Sequence, residues 1–286
     1  MPPARRRQAL HLIVWTIVGA GYTGERIAAA LIARGDEVIV TRRDAAAAAA
    51  VAARTGARGV AADLARPATL APALAAGAIV VVTAPPIDDR GTGEAALAAA
   101  AAAAGVARIV YLSTTGVYAP AGGAWVDEAF ATAPVTASGR ARLAAEAALA
   151  AGAVPCVRLR VAGIYGPDRG VVARLRAGTY RLIGDGDTQV SRVHVDDLAA
   201  AAIAAGDAAA PGPVYNVADR EPCTSRALAE AACAALGLPP PPAVALAAVD
   251  PEIAGMLTAD RRIDAGRLER ELGWTPRYPS WRAALD

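Results

Sequence analysis

Residues 12–24 read LIVWTIVGAGYTG, an apolar strand running directly into a Gly-x-Gly-x-x-Gly turn. Each glycine has a mechanical reason to be there. Gly19 permits a tight turn at the strand end. Gly21 lets backbone approach a pyrophosphate with no Cβ in the way, and Gly24 lets the next helix pack close to the sheet. Residues 24–35, GERIAAALIARG, continue with apolar side chains at helical spacing. A helix N-terminus at this point offers unpaired N–H groups and a favourable dipole to phosphates. A glycine turn with no ligand is the plainer reading, but the complete strand–turn–helix–strand unit favours a dinucleotide.

Outward from this unit, strands and helices alternate. The pattern predicts strands at 12–18, 37–41, 57–61, 78–83, 108–112 and 155–160, with helices at 23–34, 44–54, 67–75, 92–104 and 138–151. Such alternation specifies an α/β fold, a doubly wound parallel sheet of the Rossmann type. After residue 160 the pattern loosens. A helix is expected from near Asp196, capped by that residue. A strand is expected at 214–218, a helix at about 225–236, a stiff connector at Pro239–Pro242 and a last helix ending at Gly273. The resulting division is a dinucleotide-binding core at 12–162, with 189–220 returning to it. Residues 163–188 and 221–286 form a smaller C-terminal substrate lobe.

Composition narrows the function classes. The chain has 286 residues, enough for a substantial core. Its 55% hydrophobic content is inflated by alanine runs that suit helices and add little bulk. A net charge of +2 with interspersed signs gives no nucleic-acid surface. Arg5, Arg6 and Arg7 form the one charge run, read as part of a flexible basic tail at 1–11. A secretory signal is disfavoured, because the apolar stretch after the arginines is the first strand itself. No apolar run reads as a membrane span once the alanines are discounted. Cys156, Cys223 and Cys233 are odd in number and lack CxxC spacing, so neither a disulfide framework nor a metal site is expected. Cys156, in VPCVRLRV, reads as an inert packed thiol. The expected compartment is a reducing cytoplasm; a homodimer is left open.

Ligands of doubly wound sheets sit at the carboxyl ends of the strands. The expected cofactor contacts are therefore Gly19, Gly21, Tyr22, Thr23 and Gly24 after the first strand, and Arg42 and Arg43 after the second. Asp63 and Leu64 follow the third strand, Thr83, Ala84 and Pro85 the fourth, Ser113 the fifth, and Ile164 the sixth. The second strand ends in Thr41-Arg42-Arg43 where an acidic residue would bind the ribose of NAD. Two guanidiniums there match a 2′-phosphate, so NADP is expected, with NAD as the weaker alternative.

The chain resembles the extended short-chain dehydrogenase/reductase superfamily of epimerases, dehydratases and reductases. The resemblance spans nearly its whole length. It rests on GAGYTG at 19–24, YLSTTGVY at 111–118, RVAGIYGP at 160–167, RVHVDDLA at 192–199 and ELGWTPRY at 271–278. The arginine-bearing second strand, TAPP at 83–86 and WVDE at 125–128 are most similar to an atypical branch. The resemblance implies a Ser or Thr after the fifth strand and a Tyr-x-x-x-Lys pair on the next helix. Thr114 takes the first position, with Thr115 as its near alternative. Ser138 falls on the tyrosine position and Arg142 on the lysine position. The sequence contains no lysine; its 29 basic residues are all arginine. A serine hydroxyl is a weak acid near neutral pH, and Arg can anchor ribose or phosphate without relaying a proton.

Among substitutes, Tyr118 is expected at the mouth of the cleft as proton donor, or water in its place. Tyr165, Trp125 and Thr115 are expected to contact substrate. Tyr165 is a second candidate donor; packing is the plainer role for both tyrosines and an equal alternative for Trp125. His194 reads as a structural, hydrogen-bonded histidine, and Asp127 and Glu128 as loop carboxylates. Three functions are ranked in order: an NADP(H)-dependent oxidoreductase acting on a small carbonyl or alcohol without the usual dyad; a non-catalytic NADP(H)-binding redox sensor; and a sugar-nucleotide epimerase or dehydratase.

Overall fold

The computed structural model describes residues 13–207 and 212–285; the expected basic tail at 1–11 lies outside them. Its centre is a parallel sheet built from β1 (Val14–Val18), β2 (Glu37–Arg42), β3 (Arg58–Ala61), β4 (Ile79–Val82), β5 (Arg108–Thr114), β6 (Cys156–Val161) and β7 (Val214–Val217). The spatial order is β7-β6-β5-β4-β1-β2-β3, all parallel. The order reverses at β1, which places the glycine turn at the topological switch point.

Alternation along the strands sorts the core into two layers. Trp15 and Ile17 of β1 pack with Ile27 and Leu31 of α1 (Tyr22–Arg34). Val18 of β1 and Val80 and Val82 of β4 face the opposite side. Leu97 of α3 (Thr92–Ala103) and Leu149 of α4 (Ala137–Ala150) cover them there. A sheet clothed on both faces explains why β4 is apolar at every position, IVVV. The remaining helix of the first half, α2 (Ala45–Thr55), is capped by the Asp44 carboxylate, which accepts from Ala47 N–H at 2.7 Å.

The predicted helix at 67–75 is a finding against the periodicity. Pro67 and Pro72 divide the segment into two 3₁₀ turns, Pro67–Thr69 and Ala71–Ala73. Proline inside a helix removes a hydrogen bond and clashes with the preceding turn. The other predicted helices of the first half appear within a residue or two of their expected bounds.

In the second half, α5 (Val171–Arg176) and α7 (Ser225–Leu236) build a separate small cluster from Val172, Leu175, Tyr180, Ala229, Ala232 and Cys233. Between them in the chain, α6 (Val195–Asp207) returns to pack along α1. Then come α8 (Pro251–Leu257) and α9 (Gly266–Leu272). The last predicted helix begins late, because Arg262–Ile263 are extended and pair in parallel with Trp125–Val126. Ile263, Leu268 and Trp274 join the larger core under the sheet.

Candidate functional site

The glycine turn behaves as its sterics require. Gly19 adopts φ +85°, and a Cβ there would lie 2.7–2.8 Å from Ala84. Thr83 Oγ1 donates to Gly19 O at 2.7 Å, which ties the β1 and β4 loops together. Gly21 caps α1 with no side-chain hydrogen bond, leaving the first N–H groups of the helix free to face an anion. A Cβ on Gly21 would meet only Arg42 Nη1 at 3.4 Å and Gly19 O at 3.9 Å, so this glycine is not demanded by the protein's own packing. Gly24 packs against Ile17 and Thr83, as close helix–sheet packing predicts.

Next to this turn the carboxyl edge of the sheet opens into a trough of about 490 Å³. Its walls include Gly19, Arg42, Arg43, Asp63, Leu64, Ala84 and Pro85, so residues from four separated loops meet in one space. Arg42 Nη1 donates to Ala20 O at 3.1 Å, which holds the guanidinium over the glycine turn. Asp63 accepts from Ala65 N–H at 3.0 Å and from Arg66 Nε at 3.3 Å, and so brings a third arginine to the rim. The sequence pattern does not single out Arg66; nothing around it distinguishes it from other exposed arginines.

Farther along the same edge, at β5 and β6, lies a second cavity of about 290 Å³. Thr114, Thr115, Val161, Gly163, Ser191 and Arg261 line it, and α8 covers it with Gly255, Met256 and Leu257. Thr114 Oγ1 accepts from Gly116 N–H at 3.0 Å, which fixes the hydroxyl at the strand end. Ile164 lines a third cavity of about 460 Å³ that shares Gly163 and Val190 with the second. Tyr22 reaches the same region: its hydroxyl donates to Pro167 O at 2.8 Å. Thr23 is buried in the first turn of α1.

Several expected site residues point elsewhere. Tyr118 is fully buried, and its hydroxyl donates to Asn216 Oδ1 at 2.7 Å. Burial pushes its pKa up, against the opposing effect of Arg160, whose guanidinium stands 4.8 Å from the ring centroid. The 3₁₀ turn Thr115–Val117 rotates the chain so that this side chain enters the core and not the cleft. Ser113 also turns inward. Its hydroxyl donates at 2.5 Å to Glu146, which is locked in a buried ion pair with Arg160 at 2.8 Å. Tyr165 lines the third cavity with Ile164, while its hydroxyl donates to Ser280 O at 3.1 Å and its ring packs edge-on to His194. Trp125 is half exposed beside Arg262 and is not part of either cavity wall described at β5 and β6 or at the trough.

The two α4 positions behave differently from each other. Arg142 reaches inward, giving Nη1 to Leu112 O at 2.8 Å, Tyr111 Oη at 3.2 Å and Ala84 O at 3.3 Å. Burial holds the Tyr111 hydroxyl up at about 12. Ser138 lies at the exposed start of α4, where its hydroxyl donates to Glu252 of α8. The same carboxylate accepts from Ala137 N–H at 2.8 Å and Ser138 N–H at 3.1 Å; the Ser138 hydroxyl first, and then these backbone bonds, hold its pKa down. Glu252 lies 114 residues from Ser138 in the chain, and no local motif announces the contact.

His194 Nδ1 accepts from Asp196 N–H at 3.2 Å, and its ring stacks 3.8 Å from that of Tyr278. Burial lowers its pKa, which suits a neutral structural imidazole. Asp196, expected as the cap of this helix, lies in its first turn and pairs with Arg26 at 2.8 Å. Cys156 is packed, and burial pushes its thiol to about 12. Among the described residues no group of three or more His, Cys, Asp or Glu is placed to hold a metal ion. No helix among them is long and apolar enough to cross a membrane.

A glycine turn at the switch point of a doubly wound sheet, opening on a trough that gathers four loops, is the architecture of a dinucleotide-binding protein. Comparison with known proteins agrees. The NAD(P)H-binding family model matches residues 19–206, and the chain belongs to that family, within the extended short-chain dehydrogenase/reductase superfamily. The 3-diazoavenalumate denitrifying reductase of a Streptomyces species is 34% identical over 213 residues, covering 68% of this chain and 69% of that one. A conserved protein of unknown function from Silicibacter pomeroyi superposes with a TM-score of 0.80 at 33% identity, covering 95% of this chain and 96% of that one. The NAD-bound dTDP-glucose 4,6-dehydratase of Streptomyces venezuelae has the same fold, with a TM-score of 0.81 at 24% identity over 96% of this chain and 94% of that one.

Proposed function

We propose that this protein is an NADP(H)-dependent reductase of small carbonyl compounds, working without a tyrosine–lysine pair. The observation that carries the cofactor reading is the pair Arg42 and Arg43 on the wall of the trough beside Gly19, Asp63 and Leu64. The acid next in the chain, Asp44, also lines the trough, but one of its carboxylate oxygens is spent on capping α2. A 2′-phosphate supplies the charge that two adjacent guanidiniums lack.

When bound, the nicotinamide supplies the hydride chemistry, and the protein's part is to place the acceptor and stabilise developing negative charge. Thr114 and Thr115 line the cavity at the end of β5, where a carbonyl oxygen would meet a hydroxyl donor. Arg142 anchors the floor of the site through Leu112 O and Ala84 O. Water delivers the proton in this reading, since none of the tyrosines lines that cavity. The buried Tyr118 and the missing lysine also favour a second reading, an NADP(H)-binding redox sensor.

Calorimetry tests the cofactor. NADPH is expected to bind more tightly than NADH, and Arg42→Ala and Arg43→Ala each to lose roughly 1.5–3 kcal/mol of NADPH binding. Equal affinities for the two cofactors would sink the assignment. A carbonyl panel followed by NADPH absorbance separates reductase from sensor: tight binding with no oxidation over a broad panel selects the sensor.

A further inference from the structure

Arg261 brings to the second cavity a charge that neither its contacts in the fold nor cofactor binding uses. It is 9% exposed and lines the cavity together with Thr114 and Thr115. Its Nε donates to Ala119 O at 2.8 Å, and its Nη2 donates to Tyr118 O. Among the described residues no carboxylate pairs with it, and its remaining nitrogen, Nη1, has no protein acceptor. Its neighbour Asp260 lines the same cavity, but that carboxylate accepts from Gln189 N–H at 2.6 Å and does not bridge to the guanidinium.

Two buried carbonyls could be satisfied by a neutral donor. A guanidinium is a permanent charge, and a buried charge without an anion is unfavourable. Arg160, the other arginine buried beside Tyr118, is balanced by its ion pair with Glu146. Arg261 faces an open cavity with no carboxylate among the described residues in salt-bridge range. Burial pulls its pKa down to about 10, against only a weaker opposing effect of Tyr118 and with no carboxylate opposing it.

We infer that Arg261 is a specificity-determining residue that receives the carboxylate of the substrate, so that the compound reduced is a small oxo acid whose carbonyl meets Thr114 and Thr115. The carboxylate is preferred to a phosphate because the cavity offers one guanidinium, a single positive charge, and the Asp260 carboxylate on the same wall disfavours a second negative charge. The cavity of about 290 Å³ admits a small apolar body between the two ends. That the partner is a carbonyl compound rests on the reductase reading; that it is an anion rests on Arg261 alone.

The test is binding, not turnover. A panel of 2-, 3- and 4-oxo acids and their methyl esters is titrated calorimetrically into the protein saturated with NADP⁺, and the NADPH affinity of every variant is titrated separately. For the best acid, wild type is expected to prefer the acid over its ester by roughly 10–150-fold, the range of a charge-assisted hydrogen bond. Arg261→Met should abolish that preference, Arg261→Lys should keep part of it, and NADPH affinity should be unchanged in both. Should Arg261→Met fail to fold, the wild-type acid–ester ratio and the Lys variant decide. An ester bound as well as its acid, no acid bound at all, or full acid preference in a folded Arg261→Met overturns the inference. Failure of the reductase reading shows itself separately, as acid binding with no NADPH oxidation or as absent NADPH binding.

Discussion

Tyr118→Phe should act on stability and leave chemistry nearly untouched. The tyrosine is fully buried, and its hydroxyl is the donor to Asn216 Oδ1 at 2.7 Å. Asn216 is itself fully buried and spends its amide on Val126 O at 3.1 Å and Asp264 O at 3.0 Å. Phenylalanine fills the ring volume, so no cavity opens, and the ring-face part of the contact with Arg160 survives. The loss is one hydrogen bond, with a buried acceptor left unmatched, which costs about 1–3 kcal/mol. For a chain of this size each kcal/mol moves Tm by roughly 2–4 °C, so the fall should be about 2–12 °C. Urea unfolding, with NADPH binding measured on the folded protein, reads this out. An unchanged unfolding midpoint together with a rate reduced by the 10²–10⁴ of a lost general acid would refute the inward placement.

Two glycines of one turn should fail in different ways. Gly21→Val should stay folded and lose NADPH binding, because a Cβ there has space in the free protein but projects into the phosphate approach. Gly19→Ala should destabilise the fold itself, since φ is +85° and the new atom would collide with Ala84; unfolding curves beside cofactor titrations separate the two. Asp219 carries a pH signature. It is buried, one carboxylate oxygen has no partner, and burial raises its pKa from 3.8 to about 7. The folded state therefore holds a proton that the unfolded state has released, so this group's contribution to stability falls as pH rises from about 4 to about 7. Asp219→Asn should flatten that slope and stabilise the protein at pH ~8 by up to a few kcal/mol; a mutant with the wild-type pH profile would contradict it.

The strand–turn–helix unit was legible because its causes are local. Trp15 and Ile17 face one way and Val18 the other through strand pleating alone. Gly19 needs its φ because the chain must turn there from strand into helix, and the arginines after β2 are where the chain's own spacing puts them. The misread helix at 67–75 was local too: Pro67 and Pro72 carried the signal, outweighed by the run of helix formers around them. The direction of side chains around the cavity at β5 and β6 was decided elsewhere. Tyr118 turns inward to meet Asn216, 98 residues away, and Arg261 reaches Tyr118 O across 143 residues. Ser138 is engaged by Glu252, and Ser113 by Glu146, through contacts that no spacing encodes. Sequence alone thus determined the sheet, the glycine turn and the charge at the rim of the trough, which arise from pleat, helical period and backbone sterics. Only the tertiary structure decided which hydroxyls and guanidiniums face the cavity, because each is aimed by a hydrogen-bond partner that folding brings in from a distant part of the chain.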